Sequence, residues 1–279
     1  MKFTKMQGLG NDYIYVYTVE EDVPEPSKTA VAVSDRHFGI GSDGLILIGR
    51  NGAGTFTMDI YNADGSRGKM CGNGIRCVGK YLYDRGLTGG SDEVDIDTQS
   101  GVKHLKLIVS GGKCTGASVN MGAPEFEPSK VPYNPSFASV GKLRLAGGTE
   151  LFAEILSMGN PHCVIFTDPG VVGSLDLEKV GPLFENHPAF PERVNTEFIE
   201  VTGENELKMR VWERGSGETL ACGTGACAAA VAAVRRGLCA AGTIKVHLAG
   251  GDLEIFWDGG DVIMTGPAET VCEGEYFTD

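Results

Sequence analysis

The sequence predicts an α+β protein of two similar, strand-rich domains, each a β-roll or barrel around one central helix. Most of the chain consists of short alternating or β-branched runs separated by turn residues, and 41 of its 279 residues are glycine. Only segments 74–84 and 225–236 have the pattern of central helices, and the second is almost wholly Ala, Val and Cys. These two segments are also copies of one another, which predicts a duplicated fold.

A tandem duplication relates the two halves of the chain. The sequence C-G-N-G at 71–74 precedes the first helix and C-G-T-G at 222–225 precedes the second, an offset of 222 − 71 = 151 residues. A slightly different offset relates G-N at 10–11 to G-N at 159–160. One repeat of this length indicates two domains rather than a solenoid of short units.

The duplication also predicts the domain boundaries. We expect a first domain of residues 1–118, with the C-terminal segment 266–279 packing back onto it, and a second domain of residues 119–265. Gly86 and Gly237 follow the two helices at the position that favours a helix C-cap. The predicted strands are 13–19, 45–48, 56–61, 94–98, 105–109, 117–121, 150–156, 163–167, 196–201, 207–212, 243–247, 252–256 and 261–265.

The charge of the chain excludes several classes of partner. With 24 basic and 37 acidic residues the formal net charge is −13, which argues against nucleic acid and against an anionic membrane surface. No apolar run approaches the roughly 18 residues of a transmembrane helix, and the first residues lack the apolar segment of a signal peptide. We therefore expect a cytoplasmic protein whose eight cysteines stay reduced.

The two cysteines that precede the helices are the leading candidates for chemistry. A helix N-terminus presents unpaired N–H groups and a partial positive charge, so it binds anions and lowers the pKa of a nearby thiol. A single Cys71 could simply fill space, because cysteine is a common buried residue. Its duplication as Cys222, with polar residues repeated alongside, favours a functional pair.

Metal binding and disulfide exchange are the rival interpretations from another class. Cys71 and Cys77 are six residues apart and Cys222 and Cys227 five apart, so neither pair shares a helix face or fits the usual zinc spacing. The C-x-x-C pattern of thiol–disulfide exchange is absent as well. A metal- or redox-binding cysteine protein remains the alternative.

Two opposed thiols suit a racemase or epimerase. One group must remove a proton from carbon and another must deliver a proton to the opposite face, and cysteine can do both near neutral pH. The helix N–H groups would hold the substrate carboxylate and stabilise the charge that develops on it. Such an enzyme needs no pyridoxal cofactor and no metal.

Seven motifs in order along the chain closely resemble the diaminopimelate epimerase family. They are GLGNDY at 8–13, DRHFGIGSDG at 35–44, NADGS at 62–66, CGNGIRC at 71–77, GNPHCV at 159–164, RVNTEF at 193–198 and WERGSGETLACGTGACA at 212–228. The resemblance runs from Met6 to the C-terminus. It implies a cytoplasmic, cofactor-free homodimer that interconverts LL- and meso-2,6-diaminopimelate in lysine and peptidoglycan precursor biosynthesis.

The resemblance also implies roles for individual residues. It identifies Cys71 and Cys222 as the acid/base thiols, and His162 and Glu213 as residues that tune the thiol pKa. Arg214 would bind the distal carboxylate of the substrate. The remaining substrate-binding residues implied by the resemblance are Asn11, Asn62, Gly72, Asn73, Asn160, Asn195, Glu213, Gly223 and Thr224.

Two positions depart from the family pattern. Gly44 stands where some members carry a substrate-contacting Gln, so that contact is not expected here. Cys272 stands where many members have a Tyr near the dimer interface. The alternative within the same fold is another amino-acid racemase, for example a proline-racemase-like enzyme, which shares the paired cysteines but not the whole motif set.

Overall fold

The chain forms two compact units. The computed structural model describes residues 1–139, 141–145, 148 and 150–277, which contain twenty strands and four α-helices. One unit comprises Met1–Asn120 with Thr265–Asp279, and the other comprises Met121–Met264. The boundaries expected from the duplication, 1–118 with 266–279 and 119–265, remain a prediction of which segments fold as domains, and positions 278–279 lie outside the described residues.

The first unit contains two helices, α1 (Pro26–Ser34) and α2 (Gly72–Asp84). Its strands are β1 (Lys2–Gly8), β2 (Asn11–Tyr17), β3 (Gly44–Arg50), β4 (Phe56–Asn62), β5 (Arg67–Gly68), β6 (Glu93–Thr98), β7 (Gly101–Ser110) and β8 (Lys113–Gly122). The last strand of the chain, β20 (Glu269–Glu275), pairs antiparallel with β1.

The second unit contains a 3-10 helix at Val172–Ser174 and two α-helices, α3 (Leu177–Glu185) and α4 (Gly223–Arg235). Its strands are β9 (Ala138–Ser139), β10 (Lys142–Arg144), β11 (Glu150–Leu151), β12 (Ala153–Ser157), β13 (Pro161–Phe166), β14 (Asn195–Gly203), β15 (Glu206–Glu213), β16 (Gly217–Thr219), β17 (Gly242–Leu248) and β18 (Gly251–Trp257). β19 (Val262–Pro267) crosses the boundary between the units, and so does β8, whose last two residues belong to the second unit.

The two units repeat one architecture, as the sequence predicts. Adding 151 to the bounds of α1 and α2 gives the bounds of α3 and α4. The pairings repeat too: β2–β3 and β13–β14 are parallel, and so are β4–β6 and β15–β17. The hairpins β3–β4 and β14–β15 are both antiparallel. The predicted fold class, two related α+β units around central helices, is confirmed.

Several elements differ from their prediction. Both central helices begin at Gly72 and Gly223 rather than at 74 and 225, because the preceding cysteines are their N-caps. The segment predicted as one strand, 150–156, forms two short strands. Helices α1 and α3 were not predicted, since α1 is short and α3 contains an internal Pro182, which normally disfavours a helix. Strands β1, β5, β9, β10, β16 and β20 were also missed.

Strands β2 and β3 are buried on both faces, which explains their nearly continuous apolar sequence. Ile14 and Leu45 pack against α1 on one face. On the other face the Tyr15 hydroxyl donates to the carbonyl of Gly74 at 3.2 Å, in the first turn of α2. A Cβ at Gly74 would lie 2.7 Å from Ile46 Cδ1. The N-terminus of α2 is therefore fixed tightly against the sheet.

Helix α4 is buried along most of its length, as its composition predicts. Residues 225–233 are all buried, and their side chains are Gly, Ala, Cys or Val. On the other face of β14, Phe198 packs with Phe184 of α3 and with Trp212 of β15. The Gly237 N–H donates to Val234 O at 2.9 Å with a φ of 67°, which ends the helix with the expected glycine C-cap.

We predict that Gly181→Ala destabilises the second unit. A Cβ at this position would lie 2.1 Å from Trp212 Cδ2, whereas alanine by itself would stabilise a helix by about 1 kcal/mol. The clash with a buried ring outweighs that gain, and overpacking costs about 1–3 kcal/mol. Urea unfolding measures the loss. Gly173→Ala is the control, since its Cβ would meet only Lys208 Nζ at 3.6 Å; equal stability of both variants would contradict the prediction.

Candidate active site

Cys71 lies at the N-cap of α2, half-buried, with its thiol engaged on two sides. Its Sγ accepts a hydrogen bond from the Gly74 N–H at 3.3 Å. The thiol also donates to Asn11 Oδ1 at 3.3 Å. A thiol at this position is oriented by the helix N-terminus and can exchange its proton with a ligand held there.

The amide of Asn11 is oriented by a carboxylate. Asn11 Nδ2 donates to Asp43 Oδ2 at 2.8 Å, and Asp43 in turn accepts from Arg36 Nη2 at 3.0 Å. Because the amide nitrogen is bound to Asp43, the carbonyl oxygen is the end of Asn11 that faces the Cys71 thiol.

A buried guanidinium supports the first turn of α2. Arg76 has no exposed surface, and it donates to the carbonyl of Gly72 and to Asn73 Oδ1, both at 3.1 Å. Gly72 and Asn73 are therefore held in place beside Cys71. Asn62, at the end of β4, donates through its amide to Ser66 Oγ at 2.9 Å.

Cys222 occupies the equivalent N-cap of α4 but in different surroundings. It is 5% exposed, and its Sγ lies 3.5 Å from the Thr224 hydroxyl. Burial raises the pKa of this thiol well above its ordinary value, and the carboxylates of Glu213 and Glu197 raise the pKa further. This is opposite to the lowering expected from the helix N-terminus, because desolvation and two nearby acids outweigh the helix dipole. Gly223 is buried in the first turn beside the thiol.

Glu213 is the acid in direct contact with Cys222. Its carboxyl forms hydrogen bonds with the thiol and with the Thr219 hydroxyl, the latter at 2.5 Å. Burial raises the pKa of this carboxyl despite those hydrogen bonds. The hydrogen bond from the thiol lowers the pKa of Glu213 and so favours its ionised form, and the Glu213 carboxylate in turn raises the pKa of the Cys222 thiol.

His162 lies in a buried chain of hydrogen bonds behind α4. Its Nδ1 contacts Glu197 Oε1 at 2.7 Å, and its Nε2 contacts Asn160 Oδ1 at 3.0 Å. The side chains of His162 and Glu197 have no exposed surface. His162, Glu197 and Asn160 come together because β13 and β14 are parallel. At the start of this pair His162 lies opposite Asn195, two residues before Glu197.

Asn195 and Arg214 meet at the turn that follows β15. The Arg214 backbone N–H donates to Asn195 Oδ1 at 2.8 Å. The Arg214 side chain is exposed, and its Nη1 donates to the carbonyl of Glu192 at 3.0 Å. Within residues 1–139, 141–145, 148 and 150–277, Arg214 forms no ion pair, so its charge is available to an anionic ligand.

The charges around the two thiols differ although the backbones repeat. Glu197 takes the position of Ile46 after the 151-residue offset, Glu213 that of Asn62, and Cys227 that of Arg76. The thiol of the second unit therefore has two acids nearby, while the first turn of α2 holds a buried cation.

Sequence reasoning missed three residues of these sites: Asp43, Arg76 and Glu197. All three lie inside motifs that carry the family resemblance. Glu197 also has a recognisable signal, because it is an acid within an otherwise buried strand pattern at Asn195–Gly203.

Comparison with solved structures defines the class of fold. The chain is similar to a PhzF-family phenazine biosynthesis protein of Bacillus anthracis, with a TM-score of 0.72, 16% identity and coverage of 100% of this chain and 99% of that one. It is also similar to a hydroxyproline epimerase of Agrobacterium vitis, with a TM-score of 0.65, 13% identity and coverage of 98% and 90%. The chain thus shares the fold of these solved proteins.

Sequence comparison defines the family within that class. The diaminopimelate epimerase family model matches residues 3–127 and 155–271. Diaminopimelate epimerases of Acetivibrio thermocellus and Desulfovibrio desulfuricans are 50% and 48% identical, each over 99% of this chain and 98% of the relative. The chain belongs to the diaminopimelate epimerase family. In the part that the structure describes, none of the helices has both the length and the apolar character needed to cross a membrane.

We predict that Glu213→Gln speeds alkylation of Cys222. Replacing the acid removes a contribution that raises the thiol pKa, and each unit by which the pKa falls gives about tenfold more thiolate. The rate constant for iodoacetamide, followed by mass spectrometry of the Cys222 peptide, measures the effect. Exposed Cys272 is the internal reference. An unchanged ratio of the two rates would show that Glu213 does not control the thiol.

Proposed function

We propose that this chain interconverts LL- and meso-2,6-diaminopimelate by a two-base mechanism in which Cys71 and Cys222 exchange protons with the α-carbon. The observation that carries the proposal is the repeated placement of a thiol at the N-cap of the central helix in each unit, in a chain of the diaminopimelate epimerase family. A two-base epimerase needs one such group for each face of the carbon.

The proton balance of the reaction is simple. One cysteine, as thiolate, takes the α-proton, and the other, as thiol, delivers a proton to the opposite face of the same carbon. The charge that develops in between spreads onto the substrate carboxylate, which backbone N–H groups at the N-termini of α2 and α4 stabilise. Gly72, Asn73, Gly223 and Thr224 form those first turns. No redox step, metal or organic cofactor is required.

The environments of the thiols support different roles for them in the substrate-free enzyme. Burial and the acids Glu213 and Glu197 keep Cys222 protonated, so Cys222 is the resting proton donor. Cys71 acts as the base once its thiol has given up the proton that it donates to Asn11 Oδ1 in the substrate-free structure. One turnover leaves the thiols in the opposite protonation states, and the reverse reaction restores them.

The far end of the substrate is a second amino-acid group, with a carboxylate and an ammonium. Arg214 can bind the carboxylate, and its exposed guanidinium now donates to a backbone carbonyl that a stronger acceptor can replace. Asn11, Asn62, Asn160, Asn195 and Glu213 supply the amide and carboxyl groups for the remaining polar atoms.

The proposal extends to the setting of the enzyme. It acts in the cytoplasm, in lysine and peptidoglycan precursor biosynthesis, as a homodimer without nucleic-acid or membrane partners. The net charge of −13 supports the last point, since neither phosphate backbones nor anionic lipids attract such a chain.

A proline-racemase-like activity is the second candidate, because the fold is shared with a hydroxyproline epimerase. That similarity is at 13% identity, whereas the relatives at 48–50% identity are diaminopimelate epimerases. Testing proline and hydroxyproline beside diaminopimelate separates the candidates directly.

We predict that Cys71→Ala and Cys222→Ala each abolish epimerisation, and that the serine variants retain little activity because a hydroxyl is a much weaker acid and base at neutral pH. Deuterium incorporation at the α-carbon in D₂O measures the reaction. Cys272→Ser, which alters an exposed thiol, should retain full activity. Near-normal turnover in either alanine variant would refute the two-base mechanism.

We predict that Arg214→Ala raises the KM for diaminopimelate about tenfold to a hundredfold, the cost of losing a hydrogen-bonded charge pair of about 1.5–3 kcal/mol. Arg214→Lys should raise the KM less, since it keeps the charge but loses the planar fork. Steady-state kinetics measures both. Arg144→Ala, an exposed arginine of the same unit, is the control. An unchanged KM in Arg214→Ala would assign the distal carboxylate to another residue.

A further inference from the structure

Glu197 is a buried acid at a position where the other repeat has an apolar residue. Its counterpart in the first unit is Ile46, and both side chains face the first turn of a central helix. A Cβ at Gly74 would lie 2.7 Å from Ile46 Cδ1, and a Cβ at Gly225 would lie 2.7 Å from Glu197 Oε1. An apolar side chain fills this position adequately in one unit, so packing alone does not explain a carboxyl group in the other.

The carboxyl group of Glu197 is also incompletely satisfied. Its side chain has no exposed surface, and Oε1 contacts His162 while Oε2 has no hydrogen-bond partner among the described residues. Burying an unpaired polar atom costs free energy. A group that is unfavourable for stability and sits against the active-site helix is a candidate for a role in function.

The hydrogen bonds define the protonation of His162. Asn160 Oδ1 can only accept, so His162 Nε2 must carry a proton and donate to it. At the other nitrogen the 2.7 Å contact with Glu197 also needs one proton, which either Nδ1 or the carboxyl carries. In both forms the pair holds two protons and is neutral overall.

We propose that Glu197 is a positioning residue that keeps the Nε2 proton on His162. That proton fixes the amide of Asn160 with its oxygen toward the imidazole, so the NH₂ group of Asn160 is left to donate to the substrate. The inference rests on the proposed function, and it adds a residue that acts through two others. Without Glu197, the Nε2 proton could move to Nδ1, and Asn160 would lose its fixed orientation.

The first unit supports this proposal because an acid also orients an asparagine amide there, with the amide turned the other way. Asn11, the counterpart of Asn160 in the repeat, has its NH₂ group bound to Asp43 and its oxygen accepting from Cys71. A carboxylate therefore sets the amide in each unit, directly through Asp43 and by way of His162 through Glu197. One asparagine presents an acceptor and the other presents a donor.

The kinetic test compares two substitutions of Glu197. Glu197→Ile installs the residue of the other repeat, and we expect it to raise the KM for diaminopimelate about tenfold or more, since one hydrogen bond to a charged group is lost. Glu197→Gln can still donate to Nδ1 through its own NH₂ group, so it should keep the KM within about threefold of the wild type.

Glu200→Gln is the matched control. Glu200 lies on the same strand and also has a buried carboxyl oxygen without a partner, but it has no contact with His162 among the described residues. We expect its KM to be unchanged. A KM for Glu197→Ile equal to that of the wild type, in a folded variant, would overturn the proposal.

A measurement on the substrate-free protein keeps the test independent of turnover. In ¹⁵N-histidine-labelled wild type and Glu197→Gln, with His162 assigned by its loss in His162→Gln, the Nε2 resonance should be that of a protonated nitrogen. An unprotonated Nε2 in the wild type would overturn the proposal even if the Glu197→Ile variant fails to fold. Absence of diaminopimelate turnover in the wild type would instead refute the proposed function and leave the ¹⁵N result standing.

Discussion

The close approach of each central helix to its sheet is the constraint on which both sites depend. At Gly74 and Gly225 the first helical turn lies so near the strand behind it that an added Cβ would come within 2.7 Å of Ile46 or Glu197. The cysteine N-cap three residues earlier is therefore held in position by backbone packing. A reactive thiol gains orientation from this arrangement without any loss of its capacity to exchange a proton.

Duplication supplied two copies of this arrangement, and the side chains behind each helix then diverged. Ile46 and Asn62 in the first unit correspond to Glu197 and Glu213 in the second, so the second thiol has acids beside it at two positions where the first unit has none. The same backbone thus holds one thiol that resists ionisation and one that lies beside a turn with a buried arginine. An epimerase benefits from this difference, because a resting enzyme needs one acid and one base.

Polar side chains in each unit are oriented by neighbours that do not themselves approach the thiol. Asp43 binds the NH₂ group of Asn11, and Glu185 accepts from Trp212 Nε1 at 2.7 Å and from the Gly215 N–H at 2.9 Å at the turn that holds Arg214. Such buried or half-buried acids cost stability on their own and are stabilised by several donors each. Their arrangement explains how flexible amide and guanidinium groups keep defined orientations in a loop-rich fold.

The sequence by itself determined the fold class, the duplication with its 151-residue offset, the two central helices and the two candidate thiols, because these leave local signals: glycine turns, apolar periodicity and a repeated C-G-x-G motif. Only the tertiary structure decided the direction of the Cys222 pKa, the buried contact of Glu197 with His162 and the burial of Arg76. These depend on which side chains from distant strands meet behind a helix, and on how much water is excluded there. Helix α3 escaped prediction for the same reason, since packing against Trp212 compensates a local sequence containing Gly181 and Pro182.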